Sequence, residues 1–423
     1  MNHILHDNKD LQSIIEEVEN QILPIHREIE RMIEINQYRV LKSFQDNRVS
    51  DTYFTPSTGY GYGDIGRDAL EKIYADVFGA EAGLVRPQII SGTHAISIAL
   101  FGVLRPGDEL LYITGKPYDT LEEVVGIRGE NNGSLKEFGI GYNCVKLTEK
   151  GEIDYSAVSK SMKPNTKVIG IQRSKGYAER PSFTIEDINE MVRFVKEINP
   201  EVIVFVDNCY GEFVEEFEPC HVGADLMAGS LIKNPGGGIV KTGGYIVGKK
   251  KWVDACSYRM TSPGIGSEAG ASLYSLLEMY QGFFLAPHVT GQALKGAVFT
   301  SALLERVGLS TLPKWNAKRT DLIQSVQFDN EQMMIEFCQA IQYASPVDSY
   351  VTPYPSYMPG YEDDVIMAAG AFIQGASIEL SADGPIRPPY TAYVQGGLTY
   401  AHVKIAITMA VDRLIKKGLI HLK

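Results

Sequence analysis

One lysine lies in a segment whose composition suits covalent chemistry with an aldehyde. The segment LMAGSLIKNPGGGIV places Lys233 after a mostly apolar run and before glycines 236–238. Burial strips an ammonium of its hydration and lowers its pKa, so we expect a neutral, nucleophilic amine here. Ser230 is placed to meet a phosphate, and the glycines allow a ligand to approach the backbone closely. The alternative is a lysine at a strand end whose charged tip reaches solvent.

An aspartate precedes this lysine at the end of a predicted strand. In EVIVFVDNCYGEF the apolar run ends at Asp207, and Tyr210 follows in the next turn. An acid at the carboxyl end of a buried parallel strand faces the crevice where α/β sheets bind ligands. The alternative is a turn or capping aspartate. Lys233 follows 26 residues later, which predicts one helix and one short strand returning the chain to the same sheet edge.

A candidate phosphate site lies further upstream, in IISGTHAISIALFGVL. An apolar segment runs into Ser91, Gly92 and Thr93 and then into a predicted helix. Free amides, hydroxyls and the positive end of the helix would meet at this point. An ordinary helix N-cap is the alternative, and His94 alone is more typical of a packed or capping side chain than of a catalyst.

A glycine motif in the N-terminal part resembles a dinucleotide fingerprint but lacks its context. GYGDIG, residues 61–66, satisfies G-x-G-x-x-G and precedes a predicted helix. The preceding DTYFTPSTGY contains proline and hydroxyl residues where a buried strand is required. We therefore interpret this segment as a glycine- and tyrosine-rich loop, in which Tyr60 and Tyr62 need another explanation.

Composition indicates that the expected ligand is a small molecule. The chain has 423 residues, of which 44% are hydrophobic, and a formal net charge of −12. This charge argues against a nucleic-acid partner and against an anionic membrane surface, because both require an excess of basic residues. The sequence shows no secretory signal and no run of eighteen apolar residues, which predicts a cytoplasmic protein with no membrane partner. Five scattered cysteines and the absence of a ligand cluster indicate free thiols and no metal site.

The elements that must position these residues form an α/β pattern. We predict an N-terminal helical arm over residues 1–56, broken at Pro24, and a large α/β domain with a mainly parallel sheet over 57–252. Its strands are DELLYIT, KVIGIQ, EVIVFVD and GGYIVGK. A smaller α+β domain is predicted over 253–423, with long helices, the strands VIMAAGAF and ASIELSA, and a loop at 351–364.

The order of phosphate loop, aspartate and lysine resembles the fold type I enzymes that use pyridoxal 5′-phosphate. RPGDELLYITGKPYDT is similar to a region of the Cys/Met metabolism (trans-sulfuration) enzymes, with Tyr118 where their tyrosine stacks on the cofactor ring. More closely similar is the methionine γ-lyase-related family often labelled aluminium-resistance proteins. The segments that carry this resemblance are SGTHA, VDNCYGEF and GSLIKNPGGG with KTGGYIVG.

The resemblance implies a carbon–sulfur lyase with a defined set of roles. Lys233 would hold pyridoxal 5′-phosphate as a Schiff base and later move the Cα proton, while Asp207 would keep the pyridine nitrogen protonated. Tyr118 would stack on the ring and assist proton transfer as a catalytic residue. Arg173 would meet the ring's phenolic oxygen, unless Arg173 belongs to a solvated basic turn. Elimination at the β or γ carbon of a sulfur amino acid would give a thiol, a keto acid and ammonia. The remaining cofactor contacts would be Ser91, Gly92, Thr93, Tyr210 and Ser230.

Two departures from the trans-sulfuration pattern concern the partner chain and the substrate. Those enzymes have an arginine after a tyrosine in the N-terminal loop, which binds the phosphate of the neighbouring subunit, whereas this loop has Tyr60 and Tyr62. We expect one of these tyrosines to take that part, which makes a homodimer the minimal unit and a tetramer plausible. Arg387 in DGPIRPPY stands in for their carboxylate-binding arginine, with Arg259 next in line.

Two rival functions remain open at this level. An aminotransferase or aldolase would use the same Lys233 and Asp207 and differ in the bond to Cα that breaks. A protein that binds the cofactor as a carrier or sensor would not turn over a substrate at all. Keto acid and ammonia formed without an amino acceptor would distinguish the lyase from both.

Overall fold

The computed structural model describes residues 8–130, 132–178, 180–358, 361 and 363–422. It contains two compact units, a large unit of Asn36–Phe284 and a small unit of Met1–Ile35 with Leu285–Lys423. The division falls inside two long helices, α1 (Lys9–Asp46) and α8 (Leu276–Arg306). The domain boundaries inferred above, after residues 56 and 252, stay predictions.

The large unit is built on a seven-stranded sheet in the order β1-β7-β6-β5-β4-β2-β3. Strands β2 to β6 pair in parallel with one another, and β7 pairs antiparallel with both β1 and β6. This mainly parallel sheet confirms the predicted fold class, and all four quoted strand segments are strands. The bounds are β1 Ala82–Arg86, β2 Glu109–Tyr112, β3 Gly141–Cys144, β4 Thr166–Gln172, β5 Ile203–Asp207, β6 Leu226–Ser230 and β7 Gly244–Gly248.

Helices cover both faces of this sheet because successive strand residues point to opposite sides. On β5, Ile203 and Phe205 join a core with α3 and α7, whereas Val204 and Val206 join a core with α6. Both faces of β5 are therefore buried, as its unbroken apolar run predicts. The helices are α2 Ile65–Phe78, α3 Gly92–Val103, α4 Asp119–Val125, α5 Tyr155–Ser161, α6 Ile185–Ile198 and α7 Lys250–Met260.

The connection from β5 to β6 differs from the predicted one. It contains the short 3-10 helix Pro219–Val222 and no α-helix, so the predicted helix between Asp207 and Lys233 is wrong. Gly223 ends this turn in the left-handed conformation, which stops the helix after one turn. The predicted return to the same sheet edge is correct, because β6 pairs in parallel with β5.

The small unit contains an antiparallel sheet in the order β10-β11-β12-β9-β8, with α9 (Glu331–Tyr343) and α10 (Tyr400–Lys416) packed on each other. This confirms the α+β prediction. The ASIELSA segment is a strand only from Ser381 onward, since Glu379 binds the amides of Phe372 and Ile373 instead of a neighbouring strand. The strand bounds are β8 Ser310–Leu312, β9 Gln324–Gln327, β10 Val365–Ala368, β11 Ser381–Pro385 and β12 Thr391–Gln395.

The N-terminal arm is one helix, so the predicted break at Pro24 is wrong. Helix α1 continues through Pro24 for 38 residues. An internal proline removes one hydrogen bond and crowds the preceding turn. Burial of apolar side chains on the first turns of α1 in the small unit's core offsets this penalty. Those side chains are Leu11, Ile14, Ile15, Val18 and Ile22.

Three findings concern the described residues as a set. No helix among them is long and apolar enough to cross a membrane. No group of their acidic, histidine and cysteine side chains has the arrangement of a metal site. All five cysteines carry free thiols.

Candidate active site

Asp207 and Lys233 lie at the carboxyl ends of adjacent parallel strands. Asp207 is the last residue of β5 and pairs with Ala228 of β6, five residues before Lys233. Its side chain is buried, and its Oδ1 accepts a hydrogen bond from the Cys209 amide at 3.1 Å. The strand order therefore places both predicted residues at one edge of the sheet.

The Lys233 amine faces an aromatic ring. Its Nζ lies 3.9 Å from the ring centroid of Tyr210. Within the described parts of the chain, this Nζ makes no hydrogen bond and no ion pair. The tight turn after it requires glycine, because Gly237 adopts a φ of +56° at the end of the short 3-10 helix Asn234–Gly236.

The electrostatics of Lys233 differ from the sequence-based expectation. Burial lowers the pKa of Lys233, but Cys209, Tyr210 and Asp207 raise it by more, so the net pKa lies above the ordinary value. The prediction of a lowered pKa and a neutral free amine is therefore wrong, since the effect of these neighbours outweighs that of desolvation. Burial also raises the pKa of Asp207, and the Lys233 ammonium offsets part of that increase.

The candidate phosphate loop is a true helix N-terminus. The Ser91 hydroxyl caps α3 by accepting a hydrogen bond from the His94 amide at 3.0 Å. The His94 ring nitrogen Nδ1 accepts from the Ile90 amide at 3.2 Å, so His94 has the capping role considered above. A hydroxyl that accepts one bond still has its own hydrogen to donate, so capping leaves Ser91 able to bind an anion.

Gly92 brings this loop against Cys209, just after Asp207, and against Ser230, the last residue of β6. A methyl group added at Gly92 would lie 3.3 Å from both the Cys209 Sγ and the Ser230 Cβ. Only a residue without a side chain leaves ordinary space between α3 and β6 at this point. The structure thus brings Ser91, Gly92 and Ser230 together.

Tyr118 is fixed at the same edge by two hydrogen bonds. Its hydroxyl donates to the Thr93 Oγ1 at 2.8 Å, and its amide donates to the Gln172 Oε1 at 2.8 Å. Burial raises the pKa of Tyr118, and the Asp207 carboxylate adds to that effect, so the phenol keeps its proton. Gln172 was missed in the sequence, although its position as the last residue of β4, paired with Asp207, is a usable signal.

Arg173 is occupied by an internal network. Its side chain is fully buried, with Nη2 at 2.8 Å from the Glu215 Oε2 and Nη1 at 2.8 Å from the Asn208 Oδ1 and 3.5 Å from the Glu218 Oε2. Neither the predicted contact with a cofactor oxygen nor the solvated turn agrees with this geometry. Arg173 instead braces the turn after Asp207.

Arg180 is a basic residue that the sequence reasoning missed. It donates to the carbonyl oxygens of Gln172 at 3.0 Å and Ser174 at 2.7 Å. Its charge is one of the smaller influences that lower the pKa of Asp207, which burial raises. The sequence could have indicated Arg180, because it is the second arginine in the segment after β4, whose last residue Gln172 pairs with Asp207.

Tyr60 and Tyr62 are exposed on an anchored loop. Their rings stack with centroids 5.3 Å apart, and 70% and 64% of their surfaces are exposed. Arg67 donates to the Gly61 carbonyl at 2.7 Å, and the Gly270 amide donates to the Tyr60 carbonyl at 2.9 Å. The preceding segment forms the 3-10 turn Asp51–Phe54 and no strand, in agreement with rejection of the dinucleotide fold.

The two candidate carboxylate-binding arginines lie in different units. Arg387 lies just after β11 in the small unit, where it is exposed and its Nη1 lies 2.9 Å from the Asp363 Oδ2. Arg259 lies on α7 in the large unit, with its guanidinium 4.9 Å from the ring centroid of Phe101. The roles of both arginines toward a substrate stay predictions.

Known proteins are similar to this chain over almost its whole length. The uncharacterized protein YnbB of Bacillus subtilis (strain 168) is 76% identical over 405 residues, which cover 96% of each chain. A solved Listeria monocytogenes structure, provisionally assigned as a cystathionine beta-lyase involved in aluminum resistance, is 67% identical with a TM-score of 0.94. The match covers 95% of this chain and 99% of that one.

A distant solved structure identifies the fold, and a family model identifies the family. The pyridoxal-5′-phosphate-dependent protein YhfS from Escherichia coli is 17% identical with a TM-score of 0.61, and the match covers 92% of this chain and 97% of that one. The fold is therefore that of the fold type I enzymes, as predicted. The family model described as methionine gamma-lyase matches residues 11–415. This chain belongs to the methionine gamma-lyase family, whose members resemble carbon–sulfur lyases dependent on pyridoxal 5′-phosphate.

Proposed function

We propose that this protein is a pyridoxal 5′-phosphate-dependent carbon–sulfur lyase that acts in the cytoplasm on a sulfur-containing amino acid. β- or γ-elimination would release a thiol, a keto acid and ammonia. The observation that carries the proposal is that Lys233, Asp207 and Tyr118 lie at one edge of the sheet. The loop at Gly92, which begins α3, meets them there. Convergent polar groups at the carboxyl ends of parallel strands are typical of ligand sites.

The residues present fit the chemistry of this cofactor. Lys233 offers an amine without a hydrogen-bonding partner in the described chain, and Asp207 offers a buried carboxylate for a pyridine nitrogen. The hydroxyls of Ser91, Thr93 and Ser230 each accept one hydrogen bond and so keep a hydrogen to donate to a phosphate. When bound, pyridoxal 5′-phosphate supplies an electron sink that stabilises negative charge at the substrate Cα.

The chain's own residues would then hold and move protons. Lys233 Nζ would take the proton from the substrate Cα, and its raised pKa favours keeping that proton. The negative charge of Asp207 would hold a proton on the pyridine nitrogen, because no bulk water competes in this buried position. Tyr118, protonated and fixed by Thr93 and Gln172, would present its ring to the cofactor.

The partner and substrate contacts complete the proposal. The exposed rings of Tyr60 and Tyr62 would meet the cofactor phosphate of a second copy, so that a homodimer is the smallest active unit and a homotetramer two such dimers. Arg387 would bind the substrate carboxylate through two parallel hydrogen bonds after leaving Asp363.

The decisive experiment is a panel of sulfur amino acids, including methionine, cysteine and cystathionine, assayed for keto acid and ammonia without an amino acceptor. We expect a yellow protein with a borohydride-reducible bond at Lys233 and keto acid release from at least one substrate. Lys233→Ala should lose both the bond and the activity, whereas the exposed Lys72→Ala should retain them.

Other outcomes would identify the rival functions. Keto acid that forms only with an added amino acceptor would indicate an aminotransferase. A bound cofactor without turnover of any substrate would indicate a carrier or sensor. A reducible bond that persists in Lys233→Ala would refute the assignment of this lysine.

A further inference from the structure

The turn that follows Asp207 has a strained backbone. Tyr210 and Phe213 adopt φ angles of +72° and +63°. Large L side chains rarely adopt the left-handed region, and such conformations persist only where surrounding contacts enforce them. Residues 208–213, here called the clamp loop, are therefore held in place by other groups.

Two buried charged side chains, Arg173 and Glu218, form hydrogen bonds with this loop. Arg173 Nη1 donates to the Asn208 Oδ1 at 2.8 Å and to the Gly211 carbonyl at 3.0 Å. Glu218 accepts from the Asn208 Nδ2 at 2.9 Å and from the Phe213 amide at 2.8 Å. A methyl group at Gly211 would lie 2.5 Å from the Arg173 Nη1, so the loop packs directly on the guanidinium.

A third side chain, that of Asn234 next to Lys233, also forms hydrogen bonds with the loop. The buried Asn234 Nδ2 donates to the Tyr210 carbonyl at 3.1 Å and to the Glu212 carbonyl at 2.9 Å. The clamp loop and the lysine turn are thereby joined through two hydrogen bonds. Any displacement of Tyr210 along the loop would break one of them.

These contacts set the distance between the Tyr210 ring and the Lys233 amine. The Nζ lies 3.9 Å from the ring centroid, well within the range for a cation–π interaction. No carboxylate among the described residues forms an ion pair with this Nζ. The ring face is thus the direct partner of the ammonium.

We infer that Tyr210 is a positioning residue whose ring holds the free Lys233 ammonium, and that Arg173, Glu218 and Asn234 enforce its position. The assignment rests on the proposed function, because turnover would repeatedly release this amine from the cofactor. A ring beneath the amine would stabilise the ammonium that forms once Nζ has taken the substrate Cα proton, and would keep it pointing into the site. Tyr210 and Arg173 therefore act through the lysine and the loop, without a role as direct cofactor ligands.

The test measures the lysine itself in the full-length chain after hydroxylamine has removed any bound carbonyl compound. A pulse of isotope-labelled acetic anhydride at a series of pH values, followed by peptide mass spectrometry, gives the apparent pKa of Lys233. Exposed Lys72 in the same sample serves as the internal reference. No cofactor and no turnover are needed.

Tyr210→Leu removes the ring face, and Tyr210→Phe retains it. We expect the apparent pKa of Lys233 to fall by about one pH unit in Tyr210→Leu, which gives about tenfold more neutral amine below the pKa. Tyr210→Phe should remain close to wild type, as should Tyr343→Leu, a change at an exposed tyrosine of α9. Equal values for the leucine and phenylalanine variants, or no change in either, would overturn the inference.

Glu218→Gln tests the enforcement of the loop at nearly constant size. The amide group cannot replace both carboxylate acceptors, so hydrogen exchange at residues 208–213 should accelerate and the Lys233 pKa should move toward the Tyr210→Leu value. Faster exchange with an unchanged Lys233 pKa would overturn the role of the clamp. The thermal unfolding midpoint of each variant shows whether it folds. If Glu218→Gln does not fold, Asn234→Ser tests the same loop by removing the hydrogen bonds of Asn234 to the Tyr210 and Glu212 carbonyls. If no amino acid in the panel is turned over but Lys233 titrates as expected here, the proposed function is refuted and the role of Tyr210 stands.

Discussion

The charge of Asp207 is the property on which the proposed chemistry most depends. The side chain is buried, its Oδ1 is held by the Cys209 amide, and the Lys233 ammonium opposes the increase in pKa that burial causes. A carboxylate maintained as an anion in a buried site interacts strongly with a cation placed against it. Such an arrangement suits a partner that must stay protonated.

Replacing this charge should therefore reduce activity far more than it changes the structure. Asp207→Asn keeps size and the amide hydrogen bond, so we expect weaker cofactor binding, measured by absorbance titration, and turnover lower by about 100- to 1000-fold. Asp254→Asn, at an exposed ion pair with Lys250, should leave both quantities unchanged. Near-normal turnover in Asp207→Asn would show that the acid has another role.

Glu212 is a second buried acid, and its titration predicts a pH dependence of stability. Burial raises the pKa of Glu212 to about 8 from the ordinary 4.5, although Tyr245 donates a hydrogen bond to Oε1 at 2.7 Å. Between about pH 4.5 and 8 the folded chain holds a proton that the unfolded chain has lost. Stability from this group is thus complete below pH 4.5 and falls as pH rises toward 8.

The variant Glu212→Gln has no proton to lose and should abolish this dependence. In urea unfolding at pH 5, 6.5, 8 and 9, the wild type should lose up to about 1.4 kcal/mol per pH unit below pH 8 relative to Glu212→Gln. The difference between the two proteins should level off above about pH 8. Parallel curves across the whole range would mean that Glu212 is already ionised at pH 5.

Single residues differ in how far their roles could be predicted from the sequence. The position of Asp207 and Lys233 at one edge of the sheet was predictable because apolar strands and glycines mark their local surroundings, and their roles stay predictions. The internal partners of Arg173 were not predictable, because Glu215 and Glu218 lie more than forty residues away and no local pattern pairs them with it. The raised pKa of Lys233 likewise depends on Cys209 and Tyr210, which only the folded turn brings near.

At the scale of elements, prediction succeeded where burial is regular and failed where a local penalty is offset elsewhere. The apolar runs of the parallel strands are visible because both faces of the sheet are covered. Pro24 predicts a break, but the packing that carries α1 through it comes from residues distant in sequence. The 26-residue spacing between Asp207 and Lys233 can accommodate either a helix or the observed turns. The spacing alone therefore could not predict which of the two forms.

Strand β6, which has a neighbour on each side in the sheet, provides a stability test for this packing. A methyl group at Gly229 would lie 2.6 Å from both the Glu212 Oε1 and the Tyr245 ring, so these groups must shift. We expect Gly229→Ala to lower the unfolding free energy by about 1 to 3 kcal/mol in urea denaturation, as overpacked cores do. Gly141→Ala in strand β3 meets only ordinary contacts, the nearest at 3.6 Å, and is the matched control. Equal effects of the two changes would contradict the packing seen around β6.

At the scale of the whole molecule, two joined segments of the large unit expose large apolar side chains among the described residues. The loop with Tyr60 and Tyr62 is joined to the segment after Gly270 by main-chain hydrogen bonds, and that segment exposes Leu273 and Tyr274. Exposed apolar patches of this kind are typical of interaction sites. A second copy of the chain is the occupant we propose, because the tyrosine hydroxyls would then be available to a neighbour's cofactor phosphate.

Subunit mixing tests this arrangement directly. Lys233→Ala lacks the lysine of its own site, and the double variant Tyr60→Phe/Tyr62→Phe lacks the hydroxyls offered to its neighbour, so each protein alone should be inactive. After exchange of equal amounts, half of the dimers are mixed, and one of the two sites in each mixed dimer has all native groups. Activity in the keto acid assay should recover to at most about a quarter of wild type. Native mass spectrometry should confirm exchange, and Lys233→Ala mixed with Asp207→Asn, whose changes both lie on the large-unit strand edge, should recover nothing. Absence of recovery in the first mixture, despite proven exchange, would place both tyrosines outside the neighbour's site.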